Sequence, residues 1–243
     1  MIKRIIAFLT IMTMTVPSFS QSNPAPDRLT SSAGIIEMNF IGHASLMFSL
    51  NSFIVYIDPV RSMGKYDNMP KADLILVTHE HGDHLDASLI KDLSKPETIV
   101  LCNEASLPRI PSAQAMKNGD QKNVKEIGIE AFPAYNIVNM RAPGQPYHPK
   151  GTGNGYIITF GDKRIYVAGD TENTPEMKAL KNIDVAFLPM NLPYTMTPAM
   201  VADAAIAFKP KILYPYHYGE TNTNEIVELL KNTTVEVRIR DLK

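Results

Sequence analysis

Cysteine is almost missing from this 243-residue chain: Cys102 stands alone, which excludes any intramolecular disulfide. It ends the apolar run Thr98-Ile99-Val100-Leu101 and reads as a buried small hydrophobe rather than a reactive thiol. An excess of either charge is missing too. Lys and Arg number 24 against 25 Asp and Glu, a formal net charge of −1. With no basic stripe and no long like-charge run, no nucleic-acid partner is expected. A hydrophobic run long enough to span a membrane is also lacking. Ile5 to Val16, interrupted by threonines, is too short for a comfortable span. What remains is the composition of an ordinary globular protein, 44% hydrophobic and 20% charged,.

The amino terminus reads as a targeting segment. Lys3 and Arg4 precede the apolar stretch, and Ser18-Phe19-Ser20 offers small residues around a cleavage point after Ser20,. Residues 1–20 are therefore expected to be a signal peptide and 21–34 a flexible, Pro-containing leader. No cysteine at the junction supports a lipid anchor. The expectation is an exported protein, periplasmic or secreted, with no stable membrane anchor. Neither repeat nor linker divides residues 35–243, so one domain is expected there.

The chemistry concentrates in Thr78-His79-Glu80-His81-Gly82-Asp83-His84-Leu85-Asp86, directly after the apolar run Leu74-Ile75-Leu76-Val77. A buried strand delivers its carboxyl end rigidly, and the loop beyond can turn ligands inward. His79 and His81, two apart, face the same side of an extended segment and can grip one ion. Gly82 lets the chain bend so that Asp83 and His84 face a second position. Imidazole and carboxylate without thiolate suit zinc, iron or manganese, with zinc the default for hydrolysis.

The run HxHxDH after a strand resembles the signature of the metallo-β-lactamase-fold hydrolases. Further landmarks follow in order from Ile35 to about Tyr218. Gly42-His43-Ala44-Ser45 and Ile57-Asp58-Pro59 resemble motifs of the branch that includes ascorbate-phosphate lactonase-like proteins and N-acyl-phosphatidylethanolamine phospholipases. Ala168-Gly169-Asp170-Thr171 resembles the bridging-aspartate motif, and Pro215-Tyr216-His217-Tyr218 the last histidine motif. The resemblance implies an α/β fold, a four-layer αββα sandwich with metals at one edge. It implies that Asp170 bridges two ions and that His217 completes the second site with Asp83 and His84. One landmark departs from the pattern. Asn136, in Ala134-Tyr135-Asn136, stands where the family supplies a third histidine to the first metal. Either His148 substitutes for it, or the first ion is weakly held by Asn136 and water.

Strand and helix signals alternate along the chain, as in a layered α/β domain. The readings include one strand over Val124 to Phe132, a short helix within Glu104 to Met116, and helices at Asp86 to Leu93, Pro175 to Leu180, Pro198 to Phe208 and Asn224 to Leu230. Asp86 and Thr197 are the expected N-caps. Gly151-Thr152-Gly153-Asn154-Gly155 lacks the context of a phosphate loop and reads as a flexible lead into a strand at Tyr156. The Pro- and Gly-containing segment Asn139 to Gly155 is long for a connection, which suggests a binding loop or lid.

Function is expected to follow from one or two ions, zinc by preference and manganese or iron otherwise. Bound water loses a proton near neutral pH, Asp83 and Asp170 orient it, and Tyr194 donates to a developing oxyanion. His43 would contact substrate or metal-bound water, and Asp58 would orient a ligand histidine. The expected activity is hydrolysis of a small-molecule ester, lactone, amide or phosphodiester. A β-lactam hydrolase, a redox di-iron enzyme and a non-catalytic protein with a degenerate metal site are the alternatives.

Overall fold

The structure is a computed structural model that describes residues 25–243; the expected signal peptide and the start of the leader lie outside them. The first half of the chain builds one seven-stranded sheet from β1 (Asp27–Ser31), β2 (Gly34–Gly42), β3 (Ser45–Leu50), β4 (Phe53–Ile57), β5 (Leu74–Val77), β6 (Ile99–Cys102) and the short β7 (Gln114–Ala115), in that spatial order. The second half supplies β8 (Gln121–Val124), β9 (Ile127–Ala134), a small hairpin of β10 (Met140–Ala142) and β11 (Gln145–Pro146), then β12 (Gly153–Phe160), β13 (Lys163–Val167), β14 (Val185–Pro189), β15 (Ile212–Tyr216) and β16 (Glu236–Val237). Its main sheet runs β16-β15-β14-β13-β12-β9-β8. Each sheet begins as an antiparallel meander and continues as parallel strands, β4 to β7 in one and β13 to β16 in the other.

Side-chain alternation explains the layers. In β5, Leu74 and Leu76 enter the core between the sheets. Ile75 and Val77 face the other way, into a second cluster with Leu89, Ile90 and Leu93 of α1 (Ala87–Leu93). Across the sheets Phe48 meets Phe187 at 5.7 Å and Phe40 meets Tyr214 at 5.1 Å between ring centroids. On the far face of the second sheet Tyr166 meets Phe208 of α3 (Pro198–Phe208) edge-on at 6.4 Å. With α2 (Pro175–Lys178) and α4 (Asn224–Leu230), the architecture is an αββα sandwich. Side-chain caps start three of the helices: Asp86 accepts from the Leu89 amide, Thr174 from Met177 and Thr197 from Met200, each satisfying one orphan donor.

Four expectations about elements need correction. The leader of 21–34 ends early, because Asp27 to Ser31 pairs with β2 in full register and Gly34 opens β2. The strand expected over Val124 to Phe132 is β9 but starts only at Ile127: Val124 ends β8, and the hairpin between them turns at Lys125 with φ of 53°; no Gly or Asn marks that turn. Glu104 to Met116 holds no α-helix, only a 3-10 turn at Glu104–Ser106 and then β7. The glycine-rich stretch is not a flexible lead: β12 starts at Gly153 and pairs with Ala134. A Cβ on Gly155 would lie 2.6 Å from the Ala168 carbonyl oxygen, so glycine there permits the β12–β13 approach that places Asp170.

Asp27 ties β1 to the carboxyl-terminal segment. Arg240 Nη2 and Nε lie 2.6 and 3.1 Å from its two oxygens, and the Tyr214 hydroxyl donates to it. Burial alone would push this carboxyl up, but the Arg240 and Tyr214 hydrogen bonds outweigh it and hold it below the ordinary range. A depressed folded-state value stabilises above the unfolded-state value near ~3.9 and is lost as pH falls through the folded one. Asp27→Asn is therefore expected to lower the melting temperature by a few degrees at pH 7, with the two proteins converging in melts run below pH ~3.

Candidate metal centre

The site lies where the carboxyl ends of parallel strands from both sheets meet, the usual place for a ligand in such sheets. β4 delivers Asp58, β5 delivers Thr78 and the loop of His79 to His84, β13 delivers Asp170, and β15 delivers His217. His43 enters from the β2–β3 turn and His148 from the loop after β11. All six histidines of the chain take part. Their donor atoms fall into three overlapping groups, each within 4.8 Å: His79, His81 and His148; His79, His84 and Asp170; and His43, Asp83, His84 and His217.

Hydrogen bonding sets which nitrogen each imidazole presents. Asp58 is buried and accepts from the Thr78 amide at 2.7 Å, the Thr78 hydroxyl at 2.6 Å and His84 Nδ1 at 2.8 Å. A carboxylate only accepts, so His84 carries its proton on Nδ1 and turns Nε2 to the site. The Thr78 hydroxyl proton goes to Asp58, so His79 Nδ1, 3.0 Å from that oxygen, is the donor there and its Nε2 turns to the site, 3.1 Å from His81 Nδ1. His148 repeats the pattern from the other sheet. Its Nδ1 lies 2.8 Å from Asn136 Oδ1, which also accepts the His148 amide at 2.7 Å. The Asn136 amide group faces the Tyr194 carbonyl at 2.8 Å and Glu172 Oε1 at 3.2 Å, which fixes its orientation.

Asp170 sits between the groups. Its Oδ2 lies 3.4 Å from His148 Nε2, 3.5 Å from His217 Nε2 and 3.9 Å from His79 Nε2, and its Oδ1 is 3.4 Å from His84 Nε2. On the outer side Asp83 Oδ2 is 3.3 Å from His43 Nε2 and 3.5 Å from His217 Nε2. Nε2 of His84, His148 and His217 and Oδ1 of Asp170 are all buried without a hydrogen-bond partner. Each such orphan costs roughly 1–3 kcal/mol, and four aimed at one space are what a cation site requires. Ligands about 2.0–2.1 Å from a tetrahedral ion stand roughly 3.4 Å apart, which is the spacing seen. The residues fit a divalent metal.

The electrostatics agree. Burial would raise the Asp170 carboxyl, yet the imidazoles of His217 and His84 hold it well below the ordinary range. Burial would likewise raise Asp83, but the nearby His217 imidazole and the hydrogen bond from His43 bring it down. Burial pushes His148 down to about 4 and, with the neighbouring His84, holds His79 well below its usual value, so both are neutral as ligands must be. His84 runs the other way: burial would lower it, but Asp170 and Asp58 raise it well above normal. Cys102 takes no part, its thiol pushed up to about 11 by burial.

The backbone is bent to this purpose. His43, Asp58 and His217 have φ of 54°, 44° and 47°, a left-handed conformation uncommon outside glycine. Gly169, at φ of 65°, precedes Asp170; a Cβ there would lie 2.7 Å from the Asn154 carbonyl oxygen.

The structure brings His43, His79, His81, Asp83, His84, His148, Asp170 and His217 together. One expected residue stands elsewhere. Asn136 is not placed as a ligand, because its oxygen and its amide group are already committed to His148, Tyr194 and Glu172. Tyr194, expected to line the substrate pocket, is half exposed with its ring edge-on to Tyr147 at 5.1 Å. The lid segment is tied inward by Asn136 and His148. Three organisers carried no sequence signal. Thr78 relays Asp58 to His79. Arg109 donates to the carbonyls of Glu80 at 2.6 Å and Leu85 at 2.7 Å, bracing the metal loop. Glu172, buried, accepts the amides of Ile137, Val138 and Asn139 at 2.9, 2.9 and 2.7 Å. Replacing Asn136 by leucine is expected to weaken metal binding roughly 10–100-fold, and Asn136→Asp to weaken it as well, because its second oxygen would face the Tyr194 carbonyl and the buried Glu172 carboxylate; competition with a chelator measures both.

The family described as Beta-lactamase superfamily domain matches residues 37–217. A UPF0173 metal-dependent hydrolase of Pelotomaculum thermopropionicum is 30% identical over 79% of this chain and 87% of its own. A crystal structure of a candidate metal-dependent hydrolase from Parabacteroides distasonis superposes with TM-score 0.85 at 46% identity, covering 90% of this chain and 99% of that one. Igni18, a metallo hydrolase from Ignicoccus hospitalis, shares the fold at TM-score 0.71 and 22% identity, over 85% and 95% of the two chains. The chain belongs to the beta-lactamase superfamily, among the UPF0173 metal-dependent hydrolases.

Proposed function

We propose that this protein is a two-metal hydrolase, with zinc the fitting ion, acting on a small ester, lactone, amide or phosphodiester. The observation that carries the reading is the set of buried, unpartnered Nε2 atoms of His84, His148 and His217 facing Asp170. His79, His81 and His148 would hold one ion, and His84 and His217, with Asp83 or His43 beside them, the other. Asp170 would be shared. The donor set is nitrogen and oxygen throughout, which suits zinc and admits manganese or iron.

When bound, such ions lower the pKa of water from 15.7 to about 7 and supply a hydroxide nucleophile at neutral pH. The chain's residues do the rest. Asp83 and Asp170, held far below the ordinary carboxylate range, are acceptors at any working pH and can orient the O–H of an attacking water. Asp83 is the more open of the two, with a side chain 38% exposed against 4% for Asp170, so it faces an incoming substrate. His43 bonds Asp83 on one side and stands 3.2 Å from the Lys243 carbonyl oxygen on the other, which steadies the carboxylate. Asn136, the one departure that favoured a degenerate site, serves instead to anchor His148 and so supports a working centre.

The basic, apolar and small-residue pattern of residues 1–20 supports export to the periplasm or the medium; the intact mass of the protein recovered from the cell envelope is expected to lack those residues.

Elemental analysis of the purified protein is expected to find about two ions per chain, and His148→Ala about one. His81→Ala and Asp170→Ala are expected to lose metal and hydrolytic activity together. An active, metal-free variant would overturn the assignment.

A further inference from the structure

Nine large apolar side chains are exposed among the described residues, and five of them, Ile137, Val138, Met140, Leu192 and Tyr194, lie in two short segments. Those segments are stitched together. Asn136 Nδ2 donates to the Tyr194 carbonyl at 2.8 Å and Asn139 Nδ2 to the Thr195 carbonyl at 2.7 Å. Exposure here is not slack. The buried Glu172 carboxylate takes the amides of residues 137, 138 and 139, so the loop cannot swing to bury Ile137 or Val138, the latter 66% exposed. A clustered apolar surface held open in this way is a binding feature.

Its neighbour identifies the occupant. The rim joins the metal centre through Tyr147. That ring packs edge-on against Tyr194 at 5.1 Å and also lines the cavity formed by His79, His81, His148 and Asp170. Asn136 likewise belongs to both, holding His148 inward and starting the apolar segment outward. We propose that this rim seats an apolar acyl or aryl group of the substrate, next to the bond being cleaved. The inference rests on the hydrolytic reading of the metal centre and narrows its substrate to small molecules with a hydrophobic arm. The geometry favours a substrate over a protein partner because Tyr147 touches the rim through Tyr194 and also lines the ligand cavity, so the two are continuous.

The test uses the zinc-loaded protein and a series of straight-chain hydroxamates, from acetohydroxamate to octanohydroxamate, with dissociation constants from calorimetry and zinc content measured alongside. The head group reports on the metal and the chain on the rim. Affinity is expected to rise roughly two- to fourfold per added methylene until the rim is covered, and Val138→Ser and Leu192→Ser are expected to flatten that rise. A flat series in the parent protein, with zinc retained and the shortest member bound, would overturn the apolar seat and leave the metal reading standing. Failure of every hydroxamate together with failure to retain zinc would overturn both. A parent protein that sediments as a dimer and becomes a monomer on Val138→Ser would make the rim an interface between copies and overturn the proposal.

Discussion

One buried carboxylate, Asp58, governs the metal edge. Three hydrogen bonds of 2.6–2.8 Å tie it to the amide and hydroxyl of Thr78 and to His84. It thereby fixes the tautomer of His84 directly and of His79 through the threonine hydroxyl, and it locks the end of β4 to the end of β5. A metal-ligating histidine normally gives its second nitrogen to such a partner; here one aspartate orients two. The opposite sheet uses a second carboxylate less directly. Glu172 positions Asn136, Asn136 positions His148, and the loop that carries them is held by its own backbone amides.

These supports explain how the chain tolerates its strain. Left-handed conformations at His43, Asp58 and His217 cost of order 1–3 kcal/mol each, and the orphaned nitrogen and oxygen atoms add to that. Net stability of a domain is only about 5–15 kcal/mol. A site so expensive persists because two sheets with a continuous apolar core between them hold its walls, and because a bound cation satisfies the atoms left without partners.

The two sheets divide the labour unequally. The first supplies His79, His81, Asp83 and His84 from one nine-residue stretch after β5. The second supplies Asp170, His148 and His217 from three separate strand ends and loops, and its Asn136 and Glu172 hold the apolar rim as well as a ligand. The metal group and the surface beside it therefore share one set of hydrogen bonds, so a change at Glu172 or Asn136 reaches both.

Local pattern determined a good part of this protein. The apolar run Leu74–Val77 followed by alternating histidines announced a strand end with ligands, since period two is a property of any extended chain. The N-caps Asp86 and Thr197 were legible because a capping side chain acts within three residues. Other features were decided only by tertiary structure. The strand expected from Val124 began only at Ile127, after a left-handed lysine that no turn signal marked, and β1 formed inside the expected leader because β2 offered it an edge. Above all, the choice between Asn136 and His148 as the third donor lay beyond sequence. Twelve residues separate them along the chain. Only the loop closed by Glu172 brings the imidazole inward, with the asparagine behind it.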